Sequence, residues 1–379
     1  MSDLVTWSFP TTIVFGAGAL STLPDRAQKL GGKRALVVTD PGVVKAGVAA
    51  RVEEVLRAAG LHAATFSGVD PNPVEKNVSD GVDAYREARA DFVVAVGGGS
   101  PLDCAKLIAL KTTHDRPLVE YDDATGGDQF IGANVPPVIA IPTTAGTGSE
   151  VGRSGVVTLA ANGRKTVIFS PHLLAKIAIL DPELTIGMPA RITAATGFDA
   201  LTHCLESYCS LGDHPMADGI AIAGLEIVAQ HLARAVEQPK DLASRGAMMK
   251  AAMMGAVAFQ KGLGACHSLA HPLSSEKNMH HGLANALCLP AVVEWNQSVA
   301  GERLDRVRAV LDSSAKTCAE ALRMLRARVG LPNGLAAEGV TKADIPKLAE
   351  KAIEDACHRC NPRQPVTRDD LARLYEAAL

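Results

Sequence analysis

Five residues of metal-binding type recur at helical spacing in the second half of the chain. Asp199 and His203 stand four apart in FDALTHCLESY, a run without proline, so on a helix both side chains emerge from one face. His267 and His271 repeat that spacing in GLGACHSLAHPL, where Pro272 is expected to end the helix just beyond them. His281 follows beside Gly282 in HHGLANAL. Imidazoles together with one carboxylate make a full donor set for a divalent transition metal. A single helical histidine is more often packed or solvated. The combination of DxxxH, HxxxH and HHG, near the small residues Gly262, Gly264 and Ala265, is what points to a metal site. A cation there would act as a Lewis acid on a bound oxygen, much as a bound metal lowers the pKa of water from about 15.7 to about 7.

The elements that must position these residues fall into two textures. RALVVTD, residues 34 to 40, is a short β-branched run ending at an acid, as expected of a buried parallel strand with a loop at its carboxyl end. Helices are expected at 46–59 and 75–89, and further strands at 62–67 and within 5–15. DFVVAVGGGSPLDCAK runs a strand into glycines and then a helix, and PPVIAIPTTAGTGSE runs another strand into small and hydroxyl residues. Such turns bare backbone N–H groups and the positive end of a helix to a pyrophosphate, at the carboxyl ends of parallel strands. Strands near 156–158 and 177–180 are expected to complete the sheet. From Pro189 onward the sequence reads as helical almost throughout, including 302–329 and 341–357. The pattern predicts an α/β dinucleotide-binding domain with a doubly wound parallel sheet at residues 1–187, then an all-helical metal-binding domain at 188–379, with the active site in the cleft between them.

Bulk properties narrow the classes. A chain of 379 residues with 47% hydrophobic residues can build both cores. A net charge of −3 gives no electrostatic case for nucleic acid or an anionic membrane. The N-terminal sequence lacks the pattern of a signal peptide, and no run of about 18 apolar residues is present. The eight cysteines sit mostly singly, which suggests reduced thiols and a cytoplasmic protein. Cys357 and Cys360 form a CxxC without a second pair, and this reads as incidental.

The motifs GGGSPLDCAK, PTTAGTGSE, GFDALTH, GACHSLAHPL and HGLANALCLP resemble, in order and spacing, the iron-containing (group III) alcohol dehydrogenases. The likeness runs from FGAG near the start to NPR near the end. It implies a dehydroquinate synthase-like fold and metal ligands at Asp199, His203, His267 and His281, with His271 as the active-site histidine that helps move the proton. It implies cofactor contacts at Asp40, Asn72, Gly98, Gly99, Ser100, Asp103, Thr143, Thr144 and Lys165, with Leu184 lining the site. A carboxylate at Asp40 can accept from both ribose hydroxyls and would repel a 2′-phosphate, so NAD is expected over NADP. The resemblance favours Fe²⁺, although the donor set also suits Zn²⁺. Two positions depart from the pattern. His280 stands where members often carry proline and is expected to face solvent. Arg153, with Lys261 as a second cation, could hold an anionic group of the substrate or stand as a solvated charge. The expected activity is NAD-linked hydride transfer to or from a small primary alcohol or aldehyde, in a homodimer or larger homo-oligomer. The alternatives are an anionic hydroxy acid substrate of the 4-hydroxybutyrate or maleylacetate kind, and, from another class, a dehydroquinate synthase-like lyase.

Overall fold

The structure, a computed structural model, describes residue 9, residues 11–161 and residues 163–379. Contacts divide the chain into two units, one spanning Pro10–Thr144 and Ser149–Gly187, the other holding Ala145–Gly148 and Met188–Leu379.

The first unit is built on a six-stranded sheet of β1 (Thr12–Phe15), β2 (Arg34–Val38), β3 (His62–Phe66), β4 (Phe92–Gly97), β5 (Val138–Pro142) and β8 (Ile177–Leu180). The strand order is β1-β8-β5-β4-β2-β3 and every pairing is parallel. Val37, Val94 and Ile139 stand in register across the centre. Alternate residues sort by face. Val93 and Ala95 join an apolar cluster with Leu102, Leu107 and Ile108, whereas Phe92, Val94 and Val96 join a second cluster with Val48, Val52 and Leu56. The helices α4 (Glu75–Glu87) and α5 (Gly99–Lys111) thus cover one face, and α1 (Leu23–Lys29) with α3 (Val48–Ala58) covers the other. Helices on both faces explain why the central strands are continuously apolar rather than alternating. Burial of each Val, Leu, Ile or Phe side chain there contributes about 1.5–3 kcal/mol over its exposed state.

Three details differ from the sequence reading. The run at 154–158 does not join the main sheet. It is β6 (Ser154–Thr158), paired antiparallel with β7 (Lys165–Phe169), and its half-buried alternation suits a ribbon with one covered face. The helix expected at 46–59 is α3, and a short α2 (Pro41–Lys45), not expected from sequence, precedes it and is set off by Gly47 at a φ of 77°. In the first strand region, Thr12–Phe15 is one strand, and positions 5–8 and 10 lie outside the described residues.

The helical unit centres on α6 (Ala190–Cys209), buried at every position from Thr193 to Cys209. It packs against α7 (Pro215–Glu237), α8 (Leu242–Ala258) and α10 (His281–Leu311), and α9 (Ala265–Lys277) packs on α10. Glycines set the closest approaches. A Cβ on Gly282 would stand 2.1 Å from the Ala195 carbonyl oxygen, and one on Gly255 would stand 2.9 Å from the His203 Cβ. The chain closes with α11 (Cys318–Arg328), α12 (Ile345–Glu354) and α13 (Arg368–Ala378). Pro272 does not end its helix. α9 runs on to Lys277 and stops at Asn278, which takes a left-handed φ of 51°. Burial of α9 from Ala265 to Ala270 outweighs the hydrogen bond a proline forfeits. The helix expected at 302–329 is two helices, since Asp312 is extended and Thr317 caps α11 by accepting from the Glu320 N–H.

Candidate active site

The 3.6-residue period of α6 puts Asp199, His203 and Glu206 on one face. Asp199 and His203 meet His267 of α9 there, with ligand atoms of all three within 4.8 Å of one another and all three side chains buried. The His203 and His267 rings stack at 4.7 Å between centroids. His281, the first residue of α10, brings its Nε2 to 3.5 Å from Asp199 Oδ1, and its ring lies 5.4 Å from that of His267. The contact of Gly282 with α6 is what admits α10 this close.

Neighbours fix the orientation of these groups. Glu206 Oε2 accepts from His267 Nδ1 at 2.6 Å and Oε1 accepts from the Cys266 N–H at 2.7 Å, so His267 turns the lone pair of Nε2 toward the cluster. Burial disfavours the charged form of His267, but the hydrogen bond and charge of Glu206 outweigh it and raise the pKa. In His203 burial prevails and the pKa falls to about 4, which keeps that ring neutral and able to donate a lone pair. The Asn285 amide donates to Asp199 Oδ1 at 2.8 Å, with its nitrogen 3.3 Å from His281 Nε2 and 3.5 Å from His267 Nε2. One carboxylate and converging imidazole nitrogens, in a pocket of buried side chains with a carboxylate behind one ring, fit a divalent transition-metal cation.

His271 lies on the same helix, its ring stacked on that of His281 at 5.2 Å. Its Nδ1 donates to Asp355 Oδ2 at 2.6 Å, and Asp355 also accepts from Ser268 Oγ at 2.9 Å and the Cys357 N–H at 2.8 Å. Burial works against this carboxylate, yet the imidazole and the two donors hold its pKa well below the usual range. With Nδ1 carrying the proton, Nε2 is the basic nitrogen. Glu206, Asn285 and Asp355 were not anticipated from sequence. Glu206 does carry a signal, three residues after His203 on the same face, and Asn285 follows His281 by four. Asp355, 84 residues from its partner, carries none.

Apart from Lys165, the expected cofactor residues follow the carboxyl ends of adjacent strands in the first unit. The strand order reverses between β2 and β4, which is where open α/β sheets bind ligands. Asp40 follows β2, caps α2 by accepting from the Val43 N–H at 2.9 Å, and its Oδ2 lies 3.4 Å from where Gly97 would carry a Cβ. Gly98 and Gly99 open α5, and Ser100 Oγ donates to the Pro71 carbonyl, next to Asn72. Thr143 and Thr144 follow β5, with the Thr143 N–H donating to the Gly97 carbonyl at 2.9 Å. Lys165 opens β7. Two positions have their side chains committed inside the unit. Asp103 accepts from Ser149 Oγ at 2.5 Å and the Val156 N–H at 3.2 Å, and Leu184 is packed in the apolar cluster below the sheet.

The remaining candidates separate clearly. The Lys261 ammonium is buried and occupied, donating to Asp218 at 2.5 Å and to the Tyr208 carbonyl at 3.0 Å, which leaves it no role as a free anchor. Arg153 is half-buried over the Phe169 ring at 5.2 Å, and no acidic partner faces it among the described residues. His280 is exposed at the N-cap of α10 and is not brought into the cluster.

Comparison with known proteins gives matches over both units. Residues 10–182 match the family model described as iron-containing alcohol dehydrogenase, and residues 193–379 match the C-terminal model of the Fe-containing alcohol dehydrogenase family. The chain is 42% identical to a 4-hydroxybutyrate dehydrogenase of Cupriavidus necator, over 97% of this chain and 98% of that protein. A solved structure of 1,3-propanediol oxidoreductase superposes with a TM-score of 0.94 at 36% identity, covering 100% of both chains. A sulfoacetaldehyde reductase from Bifidobacterium kashiwanohense, solved in complex with NAD+, gives a TM-score of 0.89 at 30% identity over 100% of this chain and 99% of that one.

Proposed function

We propose that this chain, which belongs to the iron-containing alcohol dehydrogenase family, moves a hydride between NAD(H) and a small primary alcohol or its aldehyde, with Asp199, His203, His267 and His281 holding a divalent cation. The observation that carries the reading is the convergence of Asp199 and His203 of α6 with His267 of α9, all buried and with ligand atoms within 4.8 Å of one another, and the approach of His281 of α10 to within 3.5 Å of Asp199. A cation held by these four residues would supply Lewis-acid polarisation of the substrate oxygen, and NAD(H) would supply the hydride acceptor or donor. Family membership favours Fe²⁺, while the donor set alone would also accept Zn²⁺.

The residues of the chain divide the remaining work. Glu206 and Asn285 hold ligand atoms in their converged orientation. His271, with Nε2 as its basic nitrogen and Asp355 behind it, receives the substrate proton during oxidation and returns it during reduction. Asp40 accepts from the adenosine ribose and disfavours a 2′-phosphate. The eight cysteines are all free thiols, which supports a reducing, cytoplasmic setting.

Changing His267 to Ala should remove most bound metal and turnover together, measured by elemental analysis and NADH formation. A metal-replete, active variant would sink the ligand assignment. Asp40→Gly should raise kcat/KM with NADP relative to NAD. An unchanged ratio would remove the reason for preferring NAD.

A second reading, an anionic hydroxy acid as substrate, is favoured by one observation. Arg153 offers a guanidinium without an acidic partner among the described residues, a group that pairs readily with a carboxylate or sulfonate. The 4-hydroxybutyrate and sulfoacetaldehyde relatives act on such compounds. Turnover of 4-hydroxybutyrate well above that of butanol, lost in Arg153→Ala, would establish this reading, and equal turnover would leave the neutral alcohol.

A further inference from the structure

A second group of metal-binding side chains stands beside the first, and the reaction accounts for only part of it. His271 on α9, Asp355 just beyond α12 and Cys357 opening the next turn bring one ligand atom each within 4.8 Å of the others. The carboxylate is already braced by Ser268 Oγ and the Cys357 N–H, so it is not a mobile surface acid. The His271 and Asp355 side chains retain 22% and 20% of their exposure, whereas those of His267 and Asp199 retain 2% and 3%, so an added ion has access here. The donor chemistry also differs. The first cluster offers only nitrogen and oxygen, while this one adds a thiol, and sulfur, nitrogen and oxygen together suit zinc or cobalt.

We propose that His271, Asp355 and Cys357 form a second, thiol-containing site for a zinc-class cation, and that filling it inhibits the enzyme. Metal–ligand distances of about 2.0–2.3 Å place tetrahedral ligands roughly 3.5 Å apart, so the group must contract slightly and the 2.6 Å contact of His271 with Asp355 must open. The ion takes the place of the proton on His271 Nδ1, and the thiol proton of Cys357 passes to solvent. The imidazole proton then resides on Nε2, and that nitrogen no longer accepts one from substrate. The inhibitory part rests on the role given to His271 above, whereas the binding part does not.

The test is a titration of the metal-loaded holoenzyme with Co²⁺. A near-ultraviolet sulfur-to-cobalt charge-transfer band should grow to one equivalent, because the first site holds no sulfur. Cys357→Ser should abolish the band while keeping the resident metal, and Asp355→Asn should weaken it at least tenfold in apparent Kd. If Cys357→Ser fails to fold, Zn²⁺ should protect Cys357 from alkylation in the unaltered protein, as read by mass spectrometry. No band, a band that survives Cys357→Ser, or no protection overturns the site. Added Zn²⁺ should inhibit the parent protein and spare Cys357→Ser. Equal inhibition of both overturns the inhibitory part alone. Failure of the proposed first site would show separately, as holoenzyme lacking its resident metal before any cobalt is added.

Discussion

Single side chains in this protein carry protonation states that burial decides, and Glu150 is the clearest. It is buried at 3% exposure just after the threonine turn, and loss of solvent raises its pKa to about 7 despite Lys106 nearby. Because the folded value lies above the unfolded one, the stability this group contributes is fully present below about pH 4.5 and is lost as pH rises through about 7. Glu150→Gln removes the titration. Its stability relative to the parent should therefore rise between pH 5 and pH 8, by an amount on the order of 3 kcal/mol, read from urea midpoints at each pH. A difference that stays flat with pH would contradict the buried-carboxylate account. At this scale the sequence was readable where chemistry follows local spacing. Asp199 with His203 and His267 with His271 are each one helical turn apart, so a pattern in the chain is also a pattern in space. Asp355 and Cys357 meet His271 only through the packing of α9 with the turn beyond α12, and no local period records that.

Between helices, the site depends on how closely backbones approach. Gly282 lies 2.1 Å, measured from an added Cβ, from the Ala195 carbonyl oxygen, and that contact sets His281 beside Asp199. Gly282→Ala should destabilise by about 3 kcal/mol through overpacking and lower metal retention after dialysis. Unchanged metal content and melting temperature would show that α10 can shift without cost. The element reading failed in the ways expected of local rules. Pro272 is a helix terminator by propensity, yet α9 passes through it because its buried face is held by neighbours invisible in sequence. β6 has strand character but pairs with β7 rather than with the parallel sheet, a choice made by partners and not by composition.

At the scale of the molecule, the alternation of strands and helices followed by a helical half was legible from texture, since parallel strands covered on both faces read as unbroken apolar runs. The four residues Ala145–Gly148 broke that simple order. They follow β5 in the chain but belong to the helical unit, where Gly146 abuts Thr196 and Gly148, at a φ of 61°, abuts Ala252 and Ala256. The covalent seam and the structural seam therefore differ. Recombining halves of two related genes at position 188 would graft a new helical bundle onto an inherited plug cut for a different one. A hybrid that exchanges residues 145–148 along with 188–379 should melt higher and retain more metal than one that exchanges 188–379 alone. Equal behaviour of the two hybrids would mean that the plug is interchangeable.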